Sequence, residues 1–535
     1  MGKTSKGRSP QRFWAFLLVL LVLLGVGFRC LNLDRKVYWV DEVYTSLRMS
    51  GFTESEFVES VFTGEEIRAG ALQYYQTPTL ERTLDDALAA LQGNAEHAPL
   101  YFLLARIWTQ QWGYSVATIR ALSVVFSLIA LPCLYWLCWE LFEVVEVAGL
   151  AVGLMAIAPL HVLYAQEARQ YSLWTVTILL SSAVLLRAIR RQSVVDWGIY
   201  AITVALGLYT HLWFGLVAIA HALYVAIQVQ GYRSKTAANY VLASAFGLFA
   251  FTPWLLVILR GWGQIQTTTA FLNKAYSLSQ IIDFWFLNLN RVFIDQELGS
   301  ANLLLVVLTL YALYFLWCNT PDRVRWFVLL LVGIPFLVLS LPDVIWGGQR
   351  SLRIRYLIPC FLGIQVAIAY LLATQAFHLS RYETWFISRP ATLPAPPHAI
   401  AKGFWRLVLA FLIIAGIVAC TLSSQAQVWW NKSTQKSAYF PPAAAIINQS
   451  ENPLVISDGD PISLLSFSYL LQPEVRLRLL QNPRQISPSG SWAGAFLLNP
   501  SNTLKNRLTR STNLEAVPIV LEGLEDKPHL WRLSS

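Results

Sequence analysis

Residues 302–318 read NLLLVVLTLYALYFLWC, a run without a single charged side chain. An α-helix needs about 20 mostly apolar residues to cross the hydrocarbon core of a bilayer, and about 17 suffice at the short end. The stretch therefore predicts a membrane-spanning helix. Similar runs recur along the chain, and together they predict about eleven transmembrane helices near 13–31, 115–141, 147–163, 172–189, 197–211, 213–229, 238–258, 302–318, 326–341, 355–376 and 404–424.

The composition agrees with an all-α polytopic membrane protein. Of the 535 residues, 56% are hydrophobic and 13% are charged, whereas soluble domains carry about 25% charged residues. The net charge of +9 would favour nucleic-acid binding in a soluble protein. Here the basic residues cluster at the ends of apolar segments, as the positive-inside rule expects, so we predict no nucleic-acid partner. The six cysteines lie in or beside apolar segments, without zinc-ligand spacing.

The distribution of Lys and Arg predicts the orientation of the chain. With a cytoplasmic N-terminus, short basic loops such as those around Arg190, Lys235 and Arg323 all fall on the cytoplasmic side. The opposite side then receives the loops 32–114, 259–301 and 342–354, together with the tail. The exceptions on this outer side are Arg260, Arg291 and the arginines of 350–355.

The segments outside the spans predict interface helices and a second domain. We expect helices at the outer membrane surface over 97–112 and within 41–62, and a proline-rich cytoplasmic linker over 383–402. Short apolar runs at 452–456, 493–498 and 517–521 predict strands, and Pro518 would confine the last of them to a sheet edge. The chain is thus divided into a transmembrane domain, 1–424, and a small extracytoplasmic α/β domain, 425–535.

Three charged motifs on the predicted outer face are candidates for chemistry. The first is YWVDEVY at 38–44, shortly after the first span. Its carboxylates, Asp41 and Glu42, could act as a base that takes a proton from an acceptor hydroxyl or amine. The alternative is structural, since an acidic residue at a helix start satisfies free backbone N–H groups.

The second motif is YAQEARQY at 164–171, in a tight hairpin between two apolar helices. Ionisable residues such as Glu167 and Arg169 are costly at the end of a span and are usually paired or functional. A structural Glu167–Arg169 pair is the alternative.

The third motif is GGQRSLRIRYLIP at 347–359. Arg353 and Arg355 lie where the positive-inside rule expects few cations, and arginine binds phosphate oxygens with two parallel hydrogen bonds. The motif therefore favours a phosphate site at headgroup depth. Lipid headgroup binding, or pairing with Glu167, is the alternative.

The histidines at 97 and 211 are weaker candidates. His97 begins the predicted interface helix and His211 lies at the outer end of the fifth span. Each is more typical of a packed or capping histidine than of a metal ligand, because no HExxH spacing is present. A Walker loop and a GxGxxG pattern are also absent from the sequence.

In these motifs the chain resembles the GT-C class of integral-membrane glycosyltransferases, in particular the branch of protein O-mannosyltransferases and lipid A aminoarabinose transferases. The resemblance extends over about 13–376. It rests on WVDE at 39–42, HAPLY at 97–101, QEARQY at 166–171 and RYLIP at 355–359, in this order and on one membrane face.

The resemblance implies Asp41 as the catalytic acidic residue, with Glu42 beside it and Glu167 as a second acidic position. Some members have Asp where this chain has Glu167. The implied donor is a polyprenyl-phosphate hexose or pentose, and the implied acceptor is a lipid, glycan or protein. Some members of the class bind a divalent metal and others do not, so the metal is left open. Our candidates for phosphate contacts are Arg169, Arg353, Arg355 and Tyr356, and our candidates for lining the substrate cavity are His97, Tyr101, Gln166, Tyr171 and His211.

We therefore predict a bacterial plasma-membrane enzyme with an outer cavity that holds Asp41, Glu167 and at least one of Arg353 and Arg355. The rival functions are a lipid or sugar transporter and a membrane scaffold. Transporters often contain inverted repeats and broken helices near the midplane. The charged residues of this chain instead cluster at one face, which a scaffold would leave unexplained.

Overall fold

All eleven apolar segments predicted from the sequence form helices in a computed structural model of the chain. The structure describes residues 9–228, 235–296, 298–377, 399–429, 437–486, 492–512, 514–521 and 528–534. Most of the predicted linker 383–402 lies outside these described residues. Within them the helices are, in chain order, α1 (Ser9–Cys30), α2 (Val40–Met49), α3 (Glu54–Val61), α4 (Leu84–Gln92), α5 (Leu100–Trp112), α6 (Val116–Phe142), α7 (Val145–Ala156), α8 (Pro159–Ala165), α9 (Tyr171–Arg191), α10 (Val194–Thr210), α11 (Phe214–Gln228), α12 (Lys235–Arg260), α13 (Trp262–Thr268), α14 (Leu278–Phe293), α15 (Asn302–Asn319), α16 (Asp322–Ile345), α17 (Ile358–Ala376), α18 (Ala399–Gln425), α19 (Phe440–Asn448), α20 (Pro461–Ser468) and α21 (Asn502–Thr512).

Length and apolar composition separate the spans from the remaining helices. Among the described residues, seven helices are long and apolar enough to cross a membrane: α6, α9, α12, α15, α16, α17 and α18. The bent pair α7 and α8 makes an eighth if it is one span, and α1, α10 and α11 are shorter apolar helices at the other predicted positions. The chain is thus a multi-pass integral membrane protein.

Two compact units make up the chain. The first comprises residues 1–31, 94–101 and 120–424, and the second comprises 32–93, 102–119 and 425–535. Helices form where interface helices are predicted, as α2 and α3 over most of 41–62 and as α5 over most of 97–112. Their position at the outer interface stays a prediction. The division at residue 424 stays a prediction.

A six-stranded mixed sheet forms the centre of the second unit, in the order β1-β3-β2-β4-β6-β5. Parallel pairing joins β2 to both β3 and β4, and the other neighbours are antiparallel. As predicted, the strand with Pro518 lies at an edge, because proline cannot donate to a ladder. The strands are β1 (Thr63–Arg68), β2 (Leu454–Ser457), β3 (Arg476–Leu480), β4 (Phe496–Leu498), β5 (Glu515–Ile519) and β6 (Leu530–Ser534).

A sharp break between α7 and α8 sets the direction of the chain as it enters the candidate site. The two helices meet at 59°, and the break leaves carbonyls at the end of α7 without helical partners. The fully buried Arg29 satisfies them: Nη2 donates to Met155 O at 3.2 Å and Nη1 donates to Ala156 O. Close approach of α1 is possible because residue 25 is glycine, whose Cβ, if present, would lie 2.4 Å from Ala156 O.

Replacing Arg29 by Met is expected to destabilise the protein by roughly 3 kcal/mol or more, because each buried acceptor that loses its donor costs about 1–3 kcal/mol. The guanidinium also donates through Nε to Ser127 Oγ at 2.8 Å. Thermal unfolding of the purified protein in detergent measures the change. Arg29→Lys retains the charge and part of the bonding, so its midpoint should lie between those of Arg29→Met and the wild type. A midpoint of Arg29→Met equal to that of the wild type would show that Arg29 does not stabilise the break.

Candidate active site

The predicted hairpin is a buried turn, 166–170, between the end of α8 and the start of α9. Glu167 is 1% exposed and Arg169 is 3% exposed. Gln166 anchors the turn, since Nε2 donates to Phe28 O at 2.7 Å and to Leu31 O at 3.0 Å. Because a buried charge is costly without compensating partners, a turn that keeps both a carboxylate and a guanidinium is typical of a functional site.

Arg355 lies beside this hairpin. Its guanidinium carbon is 5.8 Å from the ring centroid of Tyr171 and 5.6 Å from that of Tyr356. Cations over aromatic rings at this distance are attracted by the ring quadrupole. Tyr164 is close enough to Glu167, Arg355 and Arg291 to feel the charges of all three. The structure thus brings the second and third sequence motifs together.

Arg353 has different neighbours. Its Nη2 donates to Gln349 Oε1 at 2.8 Å, and its guanidinium carbon is 5.4 Å from the ring centroid of Phe271. The sequence could not tell which of the two arginines faces the hairpin. The contacts of the two side chains assign Arg355 to it.

A buried carboxylate shapes the loop that carries these arginines. Asp343 Oδ2 accepts from the backbone N of Ser351 at 2.6 Å and from its Oγ at 2.8 Å, and Oδ1 pairs with Arg350 at 3.1 Å. Residue 348 must be glycine, because a Cβ there would lie 2.3 Å from Asp343 Oδ1 and the φ angle is +154°. The loop is therefore fixed by its own side chains before any ligand binds.

His211 joins the same cluster from the end of α10. Its ring stacks on Trp174 with centroids 4.2 Å apart, and the centroid of the Tyr356 ring is 6.0 Å away. Nδ1 accepts from the backbone N of Trp213 at 3.2 Å, so a neutral ring carries its proton on Nε2. Both Arg169 and Arg355 act on His211 electrostatically.

Tyr101 is linked to the hairpin by hydrogen bonds through Ser123, a residue outside the sequence motifs. Its hydroxyl and Ser123 Oγ form a hydrogen bond of 2.7 Å, and Ser123 Oγ donates to Arg169 O at 3.3 Å. His97 lies in the turn before α5, where its backbone N donates to Asn94 O at 3.0 Å. Tyr101 is thus part of the hairpin environment.

Asp41 and Glu42 lie in the first turn of α2, in the second unit. Glu42 Oε2 accepts from the backbone N of Trp39 at 2.9 Å, which is the helix-capping role weighed as the alternative for this motif. Asp41 is half-buried at the next position toward the start of the helix. The capping alternative therefore describes Glu42, and the role of Asp41 stays a prediction.

The segment before α2 is held by the C-terminal part of the same unit. Trp429 Nε1 donates to Val37 O at 2.8 Å, and Ser466 Oγ donates to Tyr38 O. On the helix itself, Tyr44 donates to Glu54 Oε2 at 2.8 Å, and burial together with the charge of Glu54 raises the pKa of the Tyr44 hydroxyl. The start of α2 is therefore a defined structure, as a catalytic carboxylate requires.

Sequence motifs did not single out three further side chains of the first unit. Ser123 and the fully buried Arg120 lie on α6, and Arg291 lies in the last turn of α14. The sequence did give a reason to select Arg291, because it is an exception to the positive-inside rule. It also gave a reason to select Arg120, because that residue is a charge within a predicted span. Nothing in the sequence distinguished Ser123.

The described residues contain no group of three or more His, Cys, Asp or Glu side chains placed to hold a metal ion. The cluster around the hairpin instead offers guanidinium groups next to aromatic rings. Arginine forks match the oxygens of a phosphate, and the rings hold the guanidinium in position. The arrangement can therefore bind a phosphate ester.

Known proteins resemble the chain in one sequence segment and in the overall fold. Residues 96–257, which include the hairpin, match the family model described as dolichyl-phosphate-mannose-protein mannosyltransferase. No curated protein matches the chain.

Three solved structures are similar to the chain. ArnT from Cupriavidus metallidurans bound to undecaprenyl phosphate aligns at 13% identity and a TM-score of 0.55, over 97% of each chain. Its apo state aligns at 14% identity and a TM-score of 0.53, over 98% of each chain. The apo Archaeoglobus fulgidus oligosaccharyltransferase aligns at 14% identity and a TM-score of 0.48, over 89% of this chain and 65% of that chain. The chain thus has the fold of the two ArnT structures, and its segment 96–257 is similar to the protein mannosyltransferase family.

Proposed function

We propose that the protein transfers a sugar from a polyprenyl-phosphate donor to a lipid, glycan or protein acceptor on the extracytoplasmic face of a bacterial plasma membrane. The observation that carries the proposal is the position of Arg355 beside the hairpin of Glu167, inside a GT-C fold. The ArnT structure with undecaprenyl phosphate supports this class of donor.

In the proposed reaction an acceptor oxygen or nitrogen attacks the anomeric carbon of the donor sugar. The new glycosidic bond forms while the bond from that carbon to the phosphate oxygen breaks, and polyprenyl phosphate leaves with the bonding electrons. Asp41 takes the acceptor proton as general base. That Asp41 shares a cavity with Glu167 and the arginines stays a prediction from the sequence.

Arg355 stabilises the charge that develops on the leaving phosphate, and Tyr356, Arg169 and Arg291 contribute to the same electrostatic environment. Cations placed in advance around a leaving phosphate act without reorganisation during the reaction. We assign Glu167 to orienting these cations or the acceptor. The remaining predicted cavity residues, His97, Tyr101, Gln166, Tyr171 and His211, would shape the sugar pocket.

Donor selectivity tests the proposal. Purified protein in nanodiscs is incubated with a radiolabelled sugar on undecaprenyl phosphate or on undecaprenyl diphosphate, together with an extract of membrane lipids and glycans. We expect label to leave the monophosphate donor and to appear on an acceptor. Transfer from the diphosphate donor alone would contradict the proposed donor class, and release of label in neither case would contradict the enzyme assignment.

A further inference from the structure

A cavity of about 790 Å³ lies at the C-terminal sheet and is formed by residues of the second unit alone. It is placed at the amino ends of the parallel strands β2, β3 and β4. Its size falls within the usual range of small-ligand sites, about 300–1,000 Å³. The charged and aromatic side chains of its lining include Glu66, Arg476, Arg478, Trp492, Phe496 and Arg532.

Arginines give the lining of this cavity a net positive charge. Its lining contains three arginines, against the carboxylates of Glu66 and Glu451. Glu66 holds two of the guanidinium groups in place, since Arg476 Nη1 lies 3.3 Å and Arg478 Nη2 lies 3.9 Å from its carboxylate oxygens. These partly exposed ion pairs add little stability, so their main effect is to orient the guanidinium groups.

Aromatic rings lie directly beside the cations. The guanidinium carbon of Arg478 is 4.8 Å from the Trp492 ring, and that of Arg532 is 5.8 Å from the Phe496 ring. Trp492 is 4% exposed, and its Nε1 has no hydrogen-bond partner among the described residues. A buried donor without an acceptor costs free energy, and each such group calls for an explanation.

We propose that this cavity binds a phosphorylated sugar unit of the acceptor. Arginine forks suit the phosphate, and the Trp492 N–H would donate to a sugar hydroxyl or a phosphate oxygen. That the ligand is part of the acceptor rests on the proposed function, whereas binding to the cavity does not depend on the donor. The cavity would then hold the acceptor through a group remote from the reacting hydroxyl.

Calorimetric titration of the full-length protein in detergent tests this site. The probes are glucose 6-phosphate, glucose and inorganic phosphate. We expect glucose 6-phosphate to bind at least about tenfold more tightly than either comparison ligand, because one site then contacts both the phosphate and the sugar.

Two variants and a matched control locate the binding. Arg532 is exposed on β6, so Arg532→Gln should leave the fold intact and weaken glucose 6-phosphate binding by about tenfold. Trp492→Phe keeps a ring in the core but removes the N–H, and should weaken binding about fivefold. Arg510→Gln removes another exposed charge, on α21 and outside this cavity, and should leave glucose 6-phosphate binding unchanged.

Equal affinities for phosphate and glucose 6-phosphate would overturn the sugar assignment and leave a simple anion site. Absence of binding, or unchanged binding in both cavity variants, would overturn the site itself. Failure of the proposed function is seen elsewhere, in the release of sugar from the donor, which this titration does not measure.

Discussion

Replacing Asp41 by Asn is expected to lower sugar transfer by about 10²- to 10⁴-fold, because that is the usual contribution of a general base. The amide has nearly the same shape as the carboxylate but cannot take the acceptor proton. Transfer of labelled sugar from polyprenyl phosphate, measured with purified protein, gives the rate. Expression level and thermal midpoint should stay close to those of the wild type, because Asn is tolerated in the first helical turn.

Two control variants distinguish the loss of a catalytic base from a general effect of removing a nearby carboxylate. Glu42→Gln keeps an oxygen that can accept the Trp39 N–H, so we expect a folded protein with nearly wild-type transfer. Asp34→Asn makes the same chemical change at an exposed residue between α1 and α2 and should be silent. Near-normal turnover of Asp41→Asn would exclude Asp41 as the base, and a large loss in Glu42→Gln with an intact fold would move the catalytic role to Glu42.

Replacing Arg355 by Lys is expected to weaken donor use by about ten- to a hundredfold. Lysine keeps the charge but loses the two-pronged geometry, and a hydrogen bond to a charged group contributes about 1.5–3 kcal/mol. Because the phosphate becomes more negative as it leaves, kcat should fall along with kcat/KM. Steady-state kinetics with varied donor concentration separate the two parameters.

Arg353→Lys is the matched control, on the same loop and two residues away. Its guanidinium donates to Gln349 Oε1, an interaction that an ammonium group can keep. We therefore expect a smaller effect on donor use than in Arg355→Lys. Intact donor use in both variants and in the double alanine variant would make these arginines interface anchors and contradict the phosphate assignment.

Apolar runs and proline chemistry made much of the fold predictable. A run such as 302–318 can satisfy its backbone in lipid only as a helix, so every predicted span is helical, and only the run 147–163 is divided between two α-helices. Pro518 located an edge strand, because it lacks the N–H that a central strand needs. These inferences use only local sequence.

Long-range pairing could not be predicted in the same way. Strand β1, from the loop after the first span, pairs with β3 of the C-terminal region, with Ile67 opposite Leu477. Nothing in the polar sequence of β1, TGEEIR, indicates the strand with which it pairs. The break between α7 and α8 was also missed, because the apolar run over 147–163 does not reveal that Arg29 satisfies the carbonyls at its centre.

The candidate site was predictable as a set of motifs but not as a geometry. The positive-inside rule drew attention to Arg353 and Arg355, yet only the loop fixed by Asp343 and Gly348 decides that Arg355 faces Tyr171. Ser123 joins Tyr101 to the hairpin through one hydroxyl, and a serine within an apolar helix carries no sequence signal of such a role.

The most direct test of a transferase against a transporter is the fate of the sugar–phosphate bond. Purified wild-type protein and the Asp41→Asn variant are reconstituted with a labelled polyprenyl-phosphate sugar and acceptor membranes, and free polyprenyl phosphate is quantified over time. We predict that the wild type releases polyprenyl phosphate in step with labelled acceptor, and that the variant releases little of either. If the wild type instead moves the intact lipid-linked sugar across the bilayer without ever releasing polyprenyl phosphate, the transferase account is contradicted.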